Sequence, residues 1–164
     1  WRGATPPYLK AQVDSFCLLS ASSQPWIFET DLSVLRAVLN RKSQTTVGNK
    51  LDAVIVTERD VAGRASFLTL YGEHIVVVRG EHFRSAMIPY FGPRSIRSTK
   101  FNVERVGDAF TFKGRGFGHG VGLCQVGAMA RARAGHSLRD ILTHYYSGTT
   151  LATYDPDSTG LYYH

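Results

Sequence analysis

The chain has 164 residues, 43% of them hydrophobic and 20% charged, with nine Phe, eight Tyr and two Trp. That length and aromatic content predict one folded domain and exclude disorder for most of the chain. The net charge of +6, from 19 Lys and Arg against 13 Asp and Glu, favours an anionic partner such as wall polymer or lipid headgroups. Nucleic acid is disfavoured, because the basic residues are scattered and only Arg41-Lys42 and the Arg131/Arg133 pair stand close together.

The longest aliphatic run, Ile75 to Val78, is far short of the roughly 20 residues that a membrane span needs, so no span is expected. Cys17 and Cys124 lie too far apart for a zinc-ribbon spacing or a dense disulfide framework. One disulfide is compatible with the count, but nothing in the spacing supports it.

The opening segment carries Pro6-Pro7, Ser20 to Ser23 and Pro25 with few periodic apolar positions, and predicts irregular or extended chain. A strand is expected at Trp26 to Glu29. A helix over 31–40 comes next, because Thr30-Asp31 offers N-cap chemistry and Leu32, Leu35, Val38 and Leu39 recur at helical spacing. Strands are predicted at Leu51 to Thr57, Ala65 to Tyr71 and His74 to Val78, with turns at Asp60 to Gly63 and Gly72-Glu73. His82 to Met87 predicts a short helix ended by the Pro89 to Pro93 stretch.

Thr99 to Val106 and Ala109 to Lys113 predict a hairpin turned at Gly107-Asp108, with Phe110 and Phe112 on one face. Leu123 to Ala134 predicts a helix ending at Gly135, and Ser137 to Asp140 a capping box opening a helix through Tyr146. Thr150 to Tyr154 predicts a last strand, and 155–164 a tail. The fold class expected is α+β, a mixed and mostly antiparallel sheet with about three helices.

Between hairpin and helix, glycine fills every second position from Gly114 to Gly122. Two physical causes require this: φ angles closed to other residues, or close approach of a second chain segment or a polymeric ligand to the backbone. The spacing contains neither G-x-G-x-x-G nor a phosphate-binding G-x-x-x-x-G-K, so the nucleotide reading fails on spacing, and phosphate cradling at the start of the following helix is left open without support. His119, flanked by glycines, is expected to face a cleft or to bond to backbone. Cys124 is either a buried small side chain or, with His119, a nucleophile pair. His136 and His144 lack a third ligand nearby, and no metal site or cofactor is expected.

The stretch Gly114-Arg115-Gly116-Phe117-Gly118-His119-Gly120-Val121-Gly122-Leu123-Cys124-Gln125-Val126-Gly127-Ala128, together with Ile141-Leu142-Thr143-His144-Tyr145-Tyr146-Ser147-Gly148-Thr149 further on, resembles the C-terminal signature of the SpoIID/LytB family of stage II sporulation protein D and amidase-enhancer relatives. Trp1, Pro7-Tyr8-Leu9, Val13-Asp14 and Cys17 resemble a segment in the middle of that domain. The resemblance covers Trp1 to about Tyr154 and implies that 1–154 is the C-terminal portion of a larger SpoIID-like domain.

It further implies an extracytoplasmic bacterial protein of the cell wall, the substrate-binding half of a peptidoglycan lytic transglycosylase. Arg115, Gly116, Gly118, His119, Gly120 and Gln125 would contact the glycan strand. Tyr145, Tyr146 and Phe117 would either offer ring faces to sugars or fill the core. The family's catalytic glutamate belongs to an upstream motif with no match here, so the acid is expected outside this chain. The missing half is expected as a second chain or a swapped copy. Cys124 stands where serine is usual and Val126 where an aromatic is usual. The rival readings are a non-catalytic peptidoglycan-binding or assembly module, and a Cys124/His119 hydrolase.

Overall fold

A computed structural model describes residues 6–9, 13–18 and 23–152. The expected contributions of Trp1 and of the 155–164 tail lie outside them. In chain order the elements are α1 (Ser15–Leu18), β1 (Pro25–Asp31), α2 (Leu32–Leu39), β2 (Leu51–Arg59), β3 (Ala65–Gly72), β4 (Val76–Arg79), α3 (Gly80–Phe91), β5 (Phe101–Val106), β6 (Ala109–Arg115), α4 (Gln125–Arg133) and α5 (Leu138–Tyr145). The fold is α+β, as the patterning predicts.

The strands divide into two three-stranded antiparallel sheets, ordered β1-β6-β5 and β2-β3-β4, rather than one mixed sheet. Parallel pairing among the described residues is confined to an isolated bridge between Ser98 and Gly118. The central strand β6 sets the first sheet. Trp26, Phe28 and Thr30 of β1 lie opposite Gly114, Phe112 and Phe110, while Phe101 and Val103 of β5 lie opposite Gly114 and Phe112 on the other side. Side chains alternate along a strand, so the even-numbered residues of β6 share one face. Phe110 and Phe112 on that face are fully buried.

Helix α3 closes the core. Its Phe83 ring lies 5.8 Å from that of Phe112 and 6.1 Å from that of Phe101, and Leu35, Val38 and Leu39 of α2 join the same cluster. The two sheets are stitched by Arg59, which donates to the Phe101 carbonyl at 3.0 Å and to Asn102 at 2.7 Å, and by Arg105, which donates to the Asp52 carbonyl at 2.8 Å.

Several local expectations differ from what the chain does. Pro89 does not end α3, which continues to Phe91. Pro89 lies on the exposed side near the helix end, where the Ser85 carbonyl that its missing N–H would have served accepts instead from Lys42 Nζ at 2.9 Å, and the buried Phe83 and Met87 hold the helix onto the sheet. The opening segment contains a short helical turn at Pro7–Leu9 and α1 rather than extended chain. Asp31 sits at the N-cap of α2 but makes no capping bond with its side chain. Of the last expected strand, residues 150–152 form none, and 153–154 lie outside the described residues. The capping box of α5 is present in full, with Ser137 accepting from the Asp140 amide and Asp140 accepting from that of Ser137.

Candidate functional site

Strand β6 runs directly into the glycine segment, and both physical causes of its composition operate. At Gly114 the cause is close approach, since a Cβ there would sit 2.2 Å from the Trp26 ring and 2.7 Å from the Lys100 carbonyl oxygen. Gly116, Gly118, Gly120 and Gly122 have φ of +81°, +86°, +76° and +84°, the left-handed region that other residues rarely adopt. The result is a loop that reverses hand at every second residue. A Cβ at Gly120 would meet Arg64 at 2.0 Å, whereas at Gly116 and Gly118 it would meet nothing within 4 Å. The chain's own packing thus explains Gly114 and Gly120, and at 116 and 118 open space lies where side chains would stand.

The 95–100 segment and Arg64 pin this loop. The Arg115 amide donates to the Lys100 carbonyl at 3.0 Å, and the Gly118 amide to the Arg97 carbonyl at 2.7 Å. Buried Ser98 donates its hydroxyl to the Arg115 carbonyl at 2.6 Å, and buried Thr99 donates to the His119 carbonyl at 3.3 Å. Arg64 donates to the Gly118 carbonyl at 3.3 Å. Burial is the main force on this guanidinium and lowers its pKa, which Asp60 opposes. The two buried hydroxyls and the arginine satisfy carbonyls that a glycine loop would otherwise leave to water.

His119 is exposed, and the Val121 amide donates to its Nδ1 at 2.9 Å. That bond fixes the tautomer, because a ring whose Nδ1 accepts carries its proton on Nε2. The loop therefore presents an oriented Nε2–H donor. Arg115 and Gln125 are exposed at either end of the loop, and Phe117 is 54% exposed between them. Beside Gly114 and Arg115 lies a groove of about 560 Å³ whose lining includes Trp26, Lys100, Lys113 and Arg115.

The two tyrosines have other duties. Tyr145 is 7% exposed and its hydroxyl donates to Asp14 at 2.5 Å, so its ring is core. Tyr146 accepts the Leu123 amide at 3.2 Å and thereby supports the end of the loop from beneath. Cys124 and His119 do not pair: Cys124 Sγ lies 2.9 Å from Cys17 Sγ and accepts from the Gly127 amide, while His119 is held by Val121.

Sequence reasoning missed the cluster behind the loop. Asp14 accepts from Tyr145 and, at 3.3 Å, from Arg131, both side chains of this ion pair being nearly buried. Arg131 donates to His144 Nε2 at 2.9 Å and lies 4.7 Å from the Phe16 ring centre. His136 stacks edge-on against Phe16. Neither histidine has a partner that its spacing in sequence reveals, and the one sequence signal at Asp14 is the family resemblance of the Val13-Asp14 pair. Asp14, Cys17 and Cys124 bring three potential ligand atoms within 4.8 Å of one another. The carboxylates of Glu73, Glu81, Glu104 and Asp140 serve a turn, two ion pairs and the capping box. Among the described residues none bonds to His119.

Residues 25–122 match a family described as a domain of unknown function, DUF8618. The amidase enhancer of Bacillus subtilis is 46% identical over 63 residues, which is 38% of this chain and 9% of that protein. Stage II sporulation protein D of the same organism is 43% identical over 60 residues, 37% of this chain and 18% of that protein. An uncharacterized protein of Brachyspira hyodysenteriae is 26% identical over 153 residues, 93% of this chain and 39% of that protein. The chain spans well under half the length of the curated relatives it matches.

Proposed function

Through residues 25–122 the chain belongs to the DUF8618 family; from that premise, and from its similarity to the amidase enhancer and stage II sporulation protein D, we propose that its glycine loop binds the glycan strands of peptidoglycan, as the substrate-binding portion of a lytic transglycosylase outside the cytoplasm. One observation carries the reading. At Gly116 and Gly118 the main chain is held at positive φ with open space where side chains would be, beside an exposed histidine of fixed tautomer. A polymer can lie flat against such a backbone.

The contacts derive from the donor inventory. The His119 Nε2–H and the Gln125 side-chain amide meet sugar hydroxyl and acetamido groups, the Phe117 ring offers an apolar face, and the main chain at Gly116 and Gly118 lets the strand approach closely. Arg115 and Lys100, at the rim of the groove, suit the anionic character of wall polymer. Cleavage by the longer protein requires a carboxylic acid of raised pKa, supplied from outside this chain. It protonates the glycosidic oxygen; the muramyl 6-hydroxyl then attacks its own C1 and gives its proton to the same group, leaving an anhydro-ended product.

Sedimentation with purified glycan strands tests the binding. His119→Ala is expected to weaken retention roughly tenfold with an unchanged melting temperature, the effect of losing a directed hydrogen bond. Retention equal to the parent, or no retention of the parent at all, refutes the assignment. If the full-length protein binds strands and releases no anhydro ends, the module is a binder without catalysis.

A further inference from the structure

Cys17, in α1, and Cys124, the N-cap residue of α4, are 107 positions apart in sequence, yet their Sγ atoms lie 2.9 Å apart, closer than two sulfur atoms in van der Waals contact. Both side chains are half-buried. We propose that these two residues form a disulfide that ties the opening segment to the helix immediately after the glycine loop. Each partner is already positioned by other contacts. The Gly127 amide donates to Cys124 Sγ at 3.4 Å, and the neighbours of Cys17 in and beside α1, Asp14 and Phe16, engage Arg131 of α4. The sulfur atoms are therefore brought together by packing and not by the bond between them.

The step is a thiol–disulfide exchange with an oxidised dithiol protein, or with oxidised glutathione in the test tube. One cysteine thiolate attacks a sulfur of the donor disulfide, forming a mixed disulfide and expelling one donor thiolate. The second cysteine thiolate attacks the protein sulfur of that mixed bond and expels the other donor thiolate. The protein loses two electrons and two protons, and the donor leaves as two thiols. A compartment outside the cytoplasm supports this chemistry.

A metal ion held by Asp14, Cys17 and Cys124 is the competing use of the same atoms. It is disfavoured because the set offers three ligands, and the carboxylate is already engaged by the Arg131 guanidinium and the Tyr145 hydroxyl, which a cation would have to displace.

The full-length protein is equilibrated with oxidised glutathione, its remaining thiols are alkylated, and its peptides are mapped by mass spectrometry without reductant. The expected result is one linked pair containing Cys17 and Cys124, lighter by two hydrogens than the reduced peptides and separated by reduction. The oxidised protein should also melt at a higher temperature than the reduced one, a difference abolished in Cys124→Ser and in Cys17→Ser. The single variants need not be stable for the test to stand, because the linkage is read on the parent protein. Full alkylation of both cysteines after oxidation, or glutathione attached to each separately, overturns the proposal. Retention of zinc through gel filtration, with both thiols protected until a chelator is added, overturns it in favour of the metal site.

Discussion

Gly127 shows how position reverses the sign of a familiar substitution. In an exposed helix, Gly→Ala stabilises by about 1 kcal/mol. Gly127 is in the first turn of α4 but buried, and an added Cβ would lie 2.1 Å from an Asp14 carboxylate oxygen and 2.2 Å from the Tyr145 hydroxyl. Both neighbours are committed to each other and to Arg131, so neither can move without breaking a nearly buried bond. Overpacking costs about 1–3 kcal/mol, and separating Tyr145 from Asp14 about 1–3 kcal/mol more. Gly127→Ala should therefore destabilise by about 3 kcal/mol net, even after the helix gain.

Urea unfolding reads this as a midpoint lower by roughly 1.5 M at an ordinary slope for a domain of this size. The double variant Gly127→Ala/Tyr145→Phe should lose less than the two single costs combined, because removing the hydroxyl vacates the space the new methyl needs. A Gly127→Ala protein as stable as the parent, or strict additivity in the double variant, would refute the shared-space reasoning.

Two further outcomes concern neighbouring groups. Burial, then the hydrogen bond to Asp14 and its charge, raises the Tyr145 phenol above its ordinary value of 10.0. The folded state thus holds this proton more tightly than the unfolded chain, so the contribution is complete below pH 10.0 and is lost as the pH rises beyond it. Tyr145→Phe should flatten that alkaline decline in stability and cost about 1–2 kcal/mol at neutral pH; identical alkaline slopes in the two proteins would contradict it. Ser137→Ala removes one half of the capping box and should lower stability by about 1 kcal/mol in the same unfolding assay, with Ser137→Gly losing less.

What the amino-acid sequence reveals here is what repeats locally. Alternation in Phe110 and Phe112, helical spacing in Leu35, Val38 and Leu39, and the Ser137/Asp140 pair each specify an element from neighbours alone, and each element forms. Pro89 misleads because a local rule is overridden by Phe83 and Met87 packing under the same helix. The two-sheet division was not legible, since it depends on which strand edges meet. At the candidate site the glycine spacing announces both causes of its composition, but Gly114 answers to Trp26 and Gly120 to Arg64, segments too distant in sequence for any spacing to pair. The Asp14, Arg131 and Tyr145 cluster joins residues more than a hundred positions apart, and no periodicity records such a meeting.

The register of β6 reaches further than the sheet. Phe110 and Phe112 face the core on even numbers, and the glycines from 114 to 122 keep the same parity through the loop. Core and loop therefore share one reading frame. Inserting or deleting a single residue within β6 would turn Thr111 and Lys113 inward. If the sheet held its register instead, Arg115, Phe117, His119 and Val121 would be pushed onto backbone positions that only glycine adopts. Length changes in this strand can be accommodated only in pairs, or at the exposed Gly107-Asp108 turn, where a hairpin can lengthen without shifting the glycine loop. Divergence among chains built on this plan should therefore show gaps at the turn and near-constant length from there to α4.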